Sequence, residues 1–585
     1  MEINSGPLSS RPVPAAKRPG FFQGSAHAAC RSLVGRFAAR LLPCRLLWNG
    51  WQTIRAFSFL CVLLPFLSLA GGIFSPSGEY WGYVRDHLLR DYFAETILLA
   101  ASTGISTFCL GVALAWVMSL YDFRGRKFFE VFLLLPLAIP PYIAAYAYEG
   151  LLGYTGMVQS FFRNAFDLQL GSLTMNIPAQ AWAIWIFTVT LFPYVYLLTR
   201  AMLRKQSAAL FENALLLGGG RIRMFLRVGL PLLWPAAAAG AILVCLEVLN
   251  DFGVSSYYGL NTFTTAIFAA WFGMGDVDTA VKLALLLLAL VFFVLLARKA
   301  VHNARRYQIV SSRENPIVLR RARGMPQAGI VLLCAFACLA GFAAPLLQML
   351  YWLRLSWDGA FTAELGRALV YTLSVSAAAT LAVMIAATGT VNAGRLFSGK
   401  FSVLLSQGAT LGYAIPSAVL AIGIISFFIE ADAVLSVFFP LLPVKFFSMG
   451  GIMLIFAYCI RFFTVGYQMV EAGFAKIGVI YTEVSRTLGR SVTGTFFLVD
   501  LPMIRHALIS GSALVFIDIL KELPLSLLLR PFNTETLGTT VYNFAKNEVL
   551  EETALPSLCI ILSGTAFILL MQSWERKKAG HVSGN

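Results

Sequence analysis

The sequence predicts an all-α protein that crosses a membrane about twelve times. Three observations support this fold class. Of the 585 residues, 58% are hydrophobic and 13% are charged, and the mean hydropathy of +0.74 lies outside the range of water-soluble domains. Apolar runs of roughly 18 residues or more, the length that crosses a hydrocarbon layer as a helix, recur along the whole chain. The runs are continuous instead of alternating with a period of two, which favours helices over a β-barrel.

The predicted spans fall into two groups of six, a first half at 54–297 and a second half at 328–573, joined by a basic linker at 298–327. A basic, polar extension at 1–53 precedes them and does not resemble a signal peptide, and a short tail at 574–585 follows. The individual spans are 54–75, 95–119, 129–152, 179–202, 232–250, 279–297, 328–350, 368–390, 402–429, 448–470, 506–528 and 554–573.

The net charge of +16 is concentrated in alternate loops, which predicts the orientation of the chain. Arg and Lys crowd the extension, the linker and the loops at 121–127, 203–227 and 476–505. By the positive-inside rule these segments are cytoplasmic, so both termini are expected inside the cell. The basic excess is therefore interpreted as topological, with no nucleic-acid partner.

Each half repeats one spacing after its fourth span: a glutamate, a glycine six residues later, and a proline thirteen residues after that. These residues are Glu212, Gly218 and Pro231 in the first half and Glu483, Gly489 and Pro502 in the second, at a constant offset of 271. At the same offset Glu247 and Asp251 correspond to Asp518 and Glu522; further upstream the offset becomes 276 and pairs Pro140 with Pro416. Because both loops follow an even number of crossings, the two six-helix repeats are predicted to be parallel.

The two loops, at 204–231 and 471–502, resemble the cytosolic E-A-A, x₃, G, x₉, hydrophobic-x-L-P loop of the permeases of binding-protein-dependent ABC importers. Ser485 stands where the pattern has its second alanine, and Val228 and Val499 match its hydrophobic position. A flexible glycine and a proline early in the next helix suit a short, rigid helix on a tight turn. The resemblance implies that this helix couples the permease to an ATPase. The predicted coupling residues are Glu212, Ala214, Gly218, Leu230, Pro231, Glu483, Ser485, Gly489, Leu501 and Pro502.

The same resemblance implies the partners: two copies of a separate ATPase subunit and a periplasmic substrate-binding protein, at a bacterial inner membrane. The sequence contains no Gly-x-x-x-x-Gly-Lys-Ser/Thr phosphate loop, so ATP and Mg²⁺ are expected to bind the ATPase and this chain is expected to need no cofactor. No catalytic or metal-ligating motif is apparent, and we expect a transport subunit rather than an enzyme.

Two segments extend the resemblance to the fused permeases of ferric-iron importers. They run from Leu249-Asn250-Asp251-Phe252-Gly253 to Trp271-Phe272, and from Lys521-Glu522-Leu523-Pro524 to Thr534. Relatives that import thiamine, aminoethylphosphonate or polyamines share this architecture and remain alternatives.

Five charged residues near the ends of the fifth spans are candidates for translocation or docking, namely Glu247, Asp251, Asp518, Lys521 and Glu522. A charge at the bilayer centre costs at least about 2.5–3.5 kcal/mol, so such groups normally face a cavity or one another. At about 1.5 Å per residue from Pro231, Glu247 and Asp251 lie about 24 Å and 30 Å along their helix, near the outer surface. Interfacial snorkelling or an intrahelical ion pair are the alternatives.

A secondary, gradient-driven transporter is the alternative from another class. Residues 122–127, Asp-Phe-Arg-Gly-Arg-Lys, resemble a loop of major-facilitator transporters, although the counterpart at 392–395 lacks the acid. Such a transporter would have no use for two coupling loops.

Overall fold

The computed structural model describes residues 50–71, 78–167, 177–204, 206–216, 220–303, 320–359, 361–397, 399–438, 450–478 and 480–582. Met1–Thr53 form one unit and Ile54–Asn585 a second. Almost all of the predicted extension, Gly218 and residues 304–319 of the predicted linker lie outside the described residues.

The described part of the chain is almost entirely helical. Helices of the first half are α1 Gly50–Gly71, α2 Leu89–Leu120, α3 Arg126–Phe132, α4 Pro141–Leu152, α5 Met157–Phe166, α6 Ala179–Leu203, α7 Ala208–Leu216, α8 Leu230–Asn250, α9 Gly253–Tyr257, α10 Phe263–Phe268 and α11 Val277–Asn303. Helices of the second half are α12 Met325–Cys338, α13 Ala344–Leu355, α14 Ala363–Leu396, α15 Lys400–Ala409, α16 Ser417–Phe438, α17 Gly451–Ile477, α18 Ile480–Thr487, α19 Arg505–Leu520, α20 Pro524–Leu529, α21 Leu537–Lys546 and α22 Ala554–Val582.

Ten described helices are long and apolar enough to cross a membrane, and the number rises to twelve if each of two bent helix pairs forms one span. The polytopic all-α prediction is therefore confirmed. Three predicted spans are not single straight helices. The span at 129–152 consists of Arg126–Ala138 and Pro141–Phe166, which meet at 98°. The span at 402–429 is interrupted between α15 and α16, and the helix predicted at 506–528 ends at Leu520.

Proline causes the first two interruptions, at positions that the repeat relates. Pro140 and Pro416 each follow a short 3₁₀ turn, at Leu135–Ala138 and Thr410–Ala414. The residue before a proline is driven out of the α conformation by the ring, and Ile139 and Ile415 are both extended. The two breaks place backbone carbonyls in the interior of the molecule, where they need hydrogen-bond donors.

The Leu-Pro pairs of the repeated loops also lie in matched geometry. A π-helical turn, at Phe225–Gly229 and at Phe496–Asp500, directly precedes Leu230-Pro231 and Leu501-Pro502. The helical conformation therefore starts upstream of each proline, at Arg221 in the first half and at Val492 in the second. Proline lacks an amide hydrogen and its ring crowds the preceding turn, and the wider π turn accommodates both effects.

The first helix of each half packs on the other half. In α1, Ile54, Phe59 and Pro65 lie against glycines of the second half, where an added Cβ would come within 2.8 Å of each. In the reciprocal contact, Gly341, between α12 and α13, lies against the backbone of Val189 in α6, and the Tyr148 hydroxyl of α4 donates to the carbonyl of Ala340 at 2.7 Å. This exchange ties the halves into one body.

A threonine hydrogen bond repeated in both halves supports the internal duplication. Thr96 of α2 accepts a hydrogen bond from the amide of Phe263 at 3.1 Å, and Thr372 of α14 accepts one from the amide of Leu537 at 2.9 Å. Both hydrogen bonds reach the first residue of the second short helix after the fifth span, α10 in the first half and α21 in the second. The two halves therefore share local contacts as well as helix order.

Two-residue strands join the end of α2 to the chain that leads into the second half. Strand β1, Tyr121–Asp122, pairs in parallel with β2, Arg320–Arg321. The loop that resembled a major-facilitator motif begins on β1, and Gly125 turns the chain into α3 with a φ of 87°. A left-handed conformation of this kind favours glycine, so the Gly in this loop has a structural reason.

Candidate functional site

A polar cavity of about 140 Å³ lies between the two halves, and we call it the interhalf cavity. The first half contributes the Pro140 break, α6 and the end of α8, while the second half contributes Tyr413, α17 and the end of α19. All five charged residues selected from the sequence line it. The fold thus gathers in one place residues that are 271 positions apart in the sequence.

Asp251 and Glu522 each cap the short helix that follows them. One carboxylate oxygen of Asp251 accepts hydrogen bonds from the amides of Val254, at 3.0 Å, and Ser255, at 3.2 Å. One oxygen of Glu522 accepts from the amides of Leu525, at 3.0 Å, and Ser526, at 3.4 Å. Amides in the first turn of a helix have no intrahelical acceptor, so a preceding carboxylate stabilises the helix start. These two acids position the short helices α9 and α20.

Glu247 and Asn250 join the two halves directly. The hydroxyl of Tyr413 donates to the carboxylate of Glu247 at 2.7 Å, and the backbone amide of Ser417 donates to the side-chain oxygen of Asn250 at 2.5 Å. Both donors belong to the chain around the Pro416 break. The end of α8 is therefore hydrogen-bonded to the interrupted segment of the opposite half.

Asp518 and Lys521 form an ion pair of 2.8 Å within one helical turn, and both side chains are partly exposed to the cavity. This is the intrahelical pair that was one of the alternatives considered from the sequence. At the repeat offset, Lys521 corresponds to Asn250, so the pair has no counterpart in the first half.

Arg461 lines the same cavity and was missed in the sequence analysis. Its guanidinium donates to the carbonyls of Tyr413, at 2.7 Å, and Ile415, at 2.6 Å, and it is only 6% exposed. These are the carbonyls that the 3₁₀ turn and Pro416 leave outside a helix. The available signal was an arginine in the middle of the apolar run 448–470, because an ionised side chain inside a span normally has a specific partner.

The two repeated loops orient their equivalent residues in the same way. Glu212 and Glu483 are exposed, whereas Ala214 and Ser485 face inwards. Ala214 packs on the apolar cluster around Phe211 and Leu233, and the Ser485 hydroxyl is 3.0 Å from that of Thr495. Large apolar side chains surround both loops on the exposed surface, including Leu210, Leu216, Ile222, Leu226, Tyr481, Val484, Leu488 and Phe497.

Gly489 ends the second loop helix in a left-handed conformation, with a φ of 85°. The amide of Arg490 donates to the carbonyl of Ser485 at 3.3 Å, and the amide of Gly489 donates to the carbonyl of Arg486 at 3.0 Å. This is a Schellman motif, in which glycine avoids the steric cost that other residues have at positive φ. The predicted tight turn at Gly489 is thus present, while Gly218 lies outside the described residues.

The two loops are attached to the spans by different chemistry. In the first half Trp116 of α2 packs on Phe211, Phe225 and Gly229. In the second half Arg395, at the end of α14, donates to the Thr482 hydroxyl at 2.9 Å and pairs with Asp500 at 3.6 Å. At the offset of 271, Thr482 and Asp500 replace Phe211 and Gly229.

Comparison with known proteins identifies the family. The sequence model of the "binding-protein-dependent transport system inner membrane component" family matches residues 108–308. The Fe(3+)-transport system permease protein FbpB 2 of Haemophilus influenzae is 25% identical over 500 residues, which cover 82% of this chain and 90% of the relative. These matches support the prediction that the chain is a binding-protein-dependent permease of the ABC importer type. It is a multi-pass inner-membrane transport component, and the secondary-transporter alternative receives no support.

Other relatives match shorter parts of the permease. The sulfate transport system permease protein CysT of Salmonella typhimurium is 29% identical over 223 residues, which cover 38% of this chain and 77% of the relative. The maltose/maltodextrin permease MalF of Vibrio vulnificus is 27% identical over 142 residues, which cover 24% of this chain and 27% of the relative. Among the described residues, no three His, Cys, Asp or Glu side chains are placed to hold a metal ion together.

Proposed function

We propose that the protein is the permease of an ATP-driven importer of ferric iron, which a periplasmic binding protein delivers and two copies of a separate ATPase power. The choice of iron rests on the similarity to the Fe(3+) permease, and this similarity extends over both halves of the chain. The sulfate relative matches less than half of the chain.

The charges of the interhalf cavity favour a cation over sulfate. Four carboxylates, those of Glu247, Asp251, Asp518 and Glu522, line it against the two bases Arg461 and Lys521. Charges interact strongly at the low effective dielectric of a protein interior, so an excess of two formal negative charges disfavours a divalent anion. We propose that the substrate passes through this cavity, with both termini of the permease in the cytoplasm.

We further propose that the loops at 204–231 and 471–502 bind the ATPase subunits. Exposed apolar side chains beside exposed acids are typical of a protein interface, and Leu226 and Phe497 are equivalent exposed positions in the two loops. The inward-facing Ala214 and Ser485 would hold the loop helices, while Glu212 and Glu483 would contact the ATPase. The glycines and the Leu-Pro pairs would fix the loops to α8 and to the helical chain that leads into α19.

The test is a reconstitution of the permease with its ATPase in liposomes, with radioactive iron and iron-loaded binding protein outside. We expect ATP-dependent iron uptake, and ATP hydrolysis that the iron-loaded binding protein stimulates. Stimulation only by a sulfate-, thiamine-, phosphonate- or polyamine-loaded binding protein would retain the importer and reject iron. Failure to bind any ATPase would reject the coupling assignment.

A further inference from the structure

The interhalf cavity contains one carboxylate from each half at equivalent positions, Glu247 and Asp518, whose oxygens do not cap a helix. One oxygen of Glu247 accepts from Tyr413, and one oxygen of Asp518 is paired with Lys521. Both acids line the cavity, as do the ring of Tyr194 and that of Tyr413. This arrangement differs from that of Asp251 and Glu522, each of which has one oxygen engaged by two helix amides.

A second feature of the cavity also suggests a ligand. Tyr142, directly after the Pro140-Pro141 break, lines the cavity and is 4% exposed. Its hydroxyl has no hydrogen-bond partner in the part of the chain that the structure describes. Buried polar groups normally have a partner, because leaving one without a partner costs about 1–3 kcal/mol. A hydrated ion in the cavity would supply that partner.

We propose that Glu247 and Asp518 form a transient binding site for a hard, multiply charged cation, and that the ammonium of Lys521 competes with that cation for the carboxylate of Asp518. Carboxylate and hydroxyl oxygens are the donors that hard cations prefer. Four carboxylates face two bases in this space of about 140 Å³, an arrangement that favours a cation, which would keep part of its own water there.

The role of Lys521 follows from its place. Its ammonium lies 2.8 Å from Asp518, where a cation would bind. A cation that binds both acids must displace this ammonium, which lowers its affinity. Transport requires binding that is strong enough for the substrate to enter and weak enough for it to leave. The corresponding residue of the first half, Asn250, is neutral and bonded to Ser417, so the competing charge comes from one half only.

The inference deepens the proposed function, but its test needs neither transport nor partners. The purified full-length permease, in nanodiscs of zwitterionic lipid, is titrated with Tb³⁺ alone. Emission of Tb³⁺ excited through tyrosine reports a cation near Tyr194 and Tyr413. We expect a weak, saturable component that disappears in both E247Q and D518N. We expect K521M to tighten it about tenfold, because it removes one competing charge.

Matched variants separate this site from other acidic surface. Glu364→Gln changes an exposed acid that pairs with Arg367 at 3.9 Å, outside the cavity, and should leave the component unchanged. Glu247→Gln keeps an acceptor for Tyr413, and thermal unfolding of each variant checks the fold. A component that survives in the E247Q/D518N double variant, or that does not tighten in K521M, would overturn the proposal. Loss of iron uptake in liposomes with an intact Tb³⁺ site would count against iron import and leave the site standing.

Discussion

The carboxylate of Glu247 accepts a hydrogen bond of 2.7 Å from the hydroxyl of Tyr413, across the boundary between the two halves of the permease. A second hydrogen bond also joins the two halves, from the backbone amide of Ser417 to the side-chain oxygen of Asn250. Both contacts involve the end of α8 and the Pro416 break. A movement that separates the halves must break them, so they stabilise the state in which the halves are closed on the cavity.

Tyr413→Phe should favour separation of the halves. A hydrogen bond to a charged group contributes about 1.5–3 kcal/mol, so we expect the ratio of separated to closed permease to rise by about tenfold or more. The measurement is ATP hydrolysis by the permease–ATPase complex without binding protein, which should increase. Tyr467→Phe is the matched control, since that hydroxyl donates to the carboxylate of Glu471 within α17, at 3.4 Å, and not across the two halves. An equal increase in both variants would contradict the role of the Glu247 contact.

Arg461→Met should destabilise the interrupted segment before α16. The guanidinium donates to the carbonyls of Tyr413 and Ile415, and the loss of two charge-assisted hydrogen bonds in a buried site costs about 3 kcal/mol or more. The measurement is thermal unfolding in detergent, and Arg461→Lys should recover part of the loss. The control is Thr190→Val, at the equivalent position of the first half, where the hydroxyl bonds only within its own helix. A Met variant as stable as the wild type would refute this positioning role.

Gly489→Ala should weaken coupling while the protein still inserts in the membrane. The residue has a φ of 85° and no atom within 4 Å of an added Cβ, so the cost is backbone strain of about 1–2 kcal/mol at the end of the loop helix. Iron uptake per ATP hydrolysed should fall, and a bulky side chain here, combined with one at Gly218, should abolish uptake. Gly275→Ala is the control, because that glycine has a φ of 66° and the same open space but lies outside both loops. Unchanged uptake in a bulky double variant would refute the coupling role of the glycines.

The sequence predicts the spans, the duplication and the charged residues around the cavity because these depend on local composition and on a constant offset. The capping roles of Asp251 and Glu522 could also have been inferred, since each acid stands three residues before an amide that it binds. The contacts of Tyr413 and Ser417 could not. They join positions 166 and 167 residues apart on opposite halves, and no local pattern in a single sequence encodes such a pairing.

The same distinction explains the error in helix continuity and the omission of Arg461. An apolar run predicts that a segment can lie in a bilayer, but Pro140 and Pro416 interrupt two such runs without changing their hydropathy. The interruptions leave backbone carbonyls without a partner inside a helix. Arg461, 46 residues further along the chain, donates to one of them, the carbonyl of Ile415. Counting helical rise from Pro231 predicts how far along its helix Glu247 lies but not the neighbour that it faces.

Arg395→Met should uncouple the second loop specifically. Arg395 links α14 to Thr482 of the loop helix and to Asp500, whose carboxylate also accepts from the Thr482 hydroxyl at 2.7 Å. Removing the cation leaves Asp500 buried beside the loop without its ion pair, which weakens the link between the ATPase contact and α14. We expect ATP hydrolysis by the assembled complex to persist while the amount of iron transported per ATP falls severalfold.

The control is Arg124→Met, at an exposed arginine of the first half, which should have no such effect. The first loop is instead anchored by Trp116 through apolar contact, so it does not depend on Arg395. Equal loss of hydrolysis and transport in the Arg395 variant would instead indicate that the complex no longer assembles.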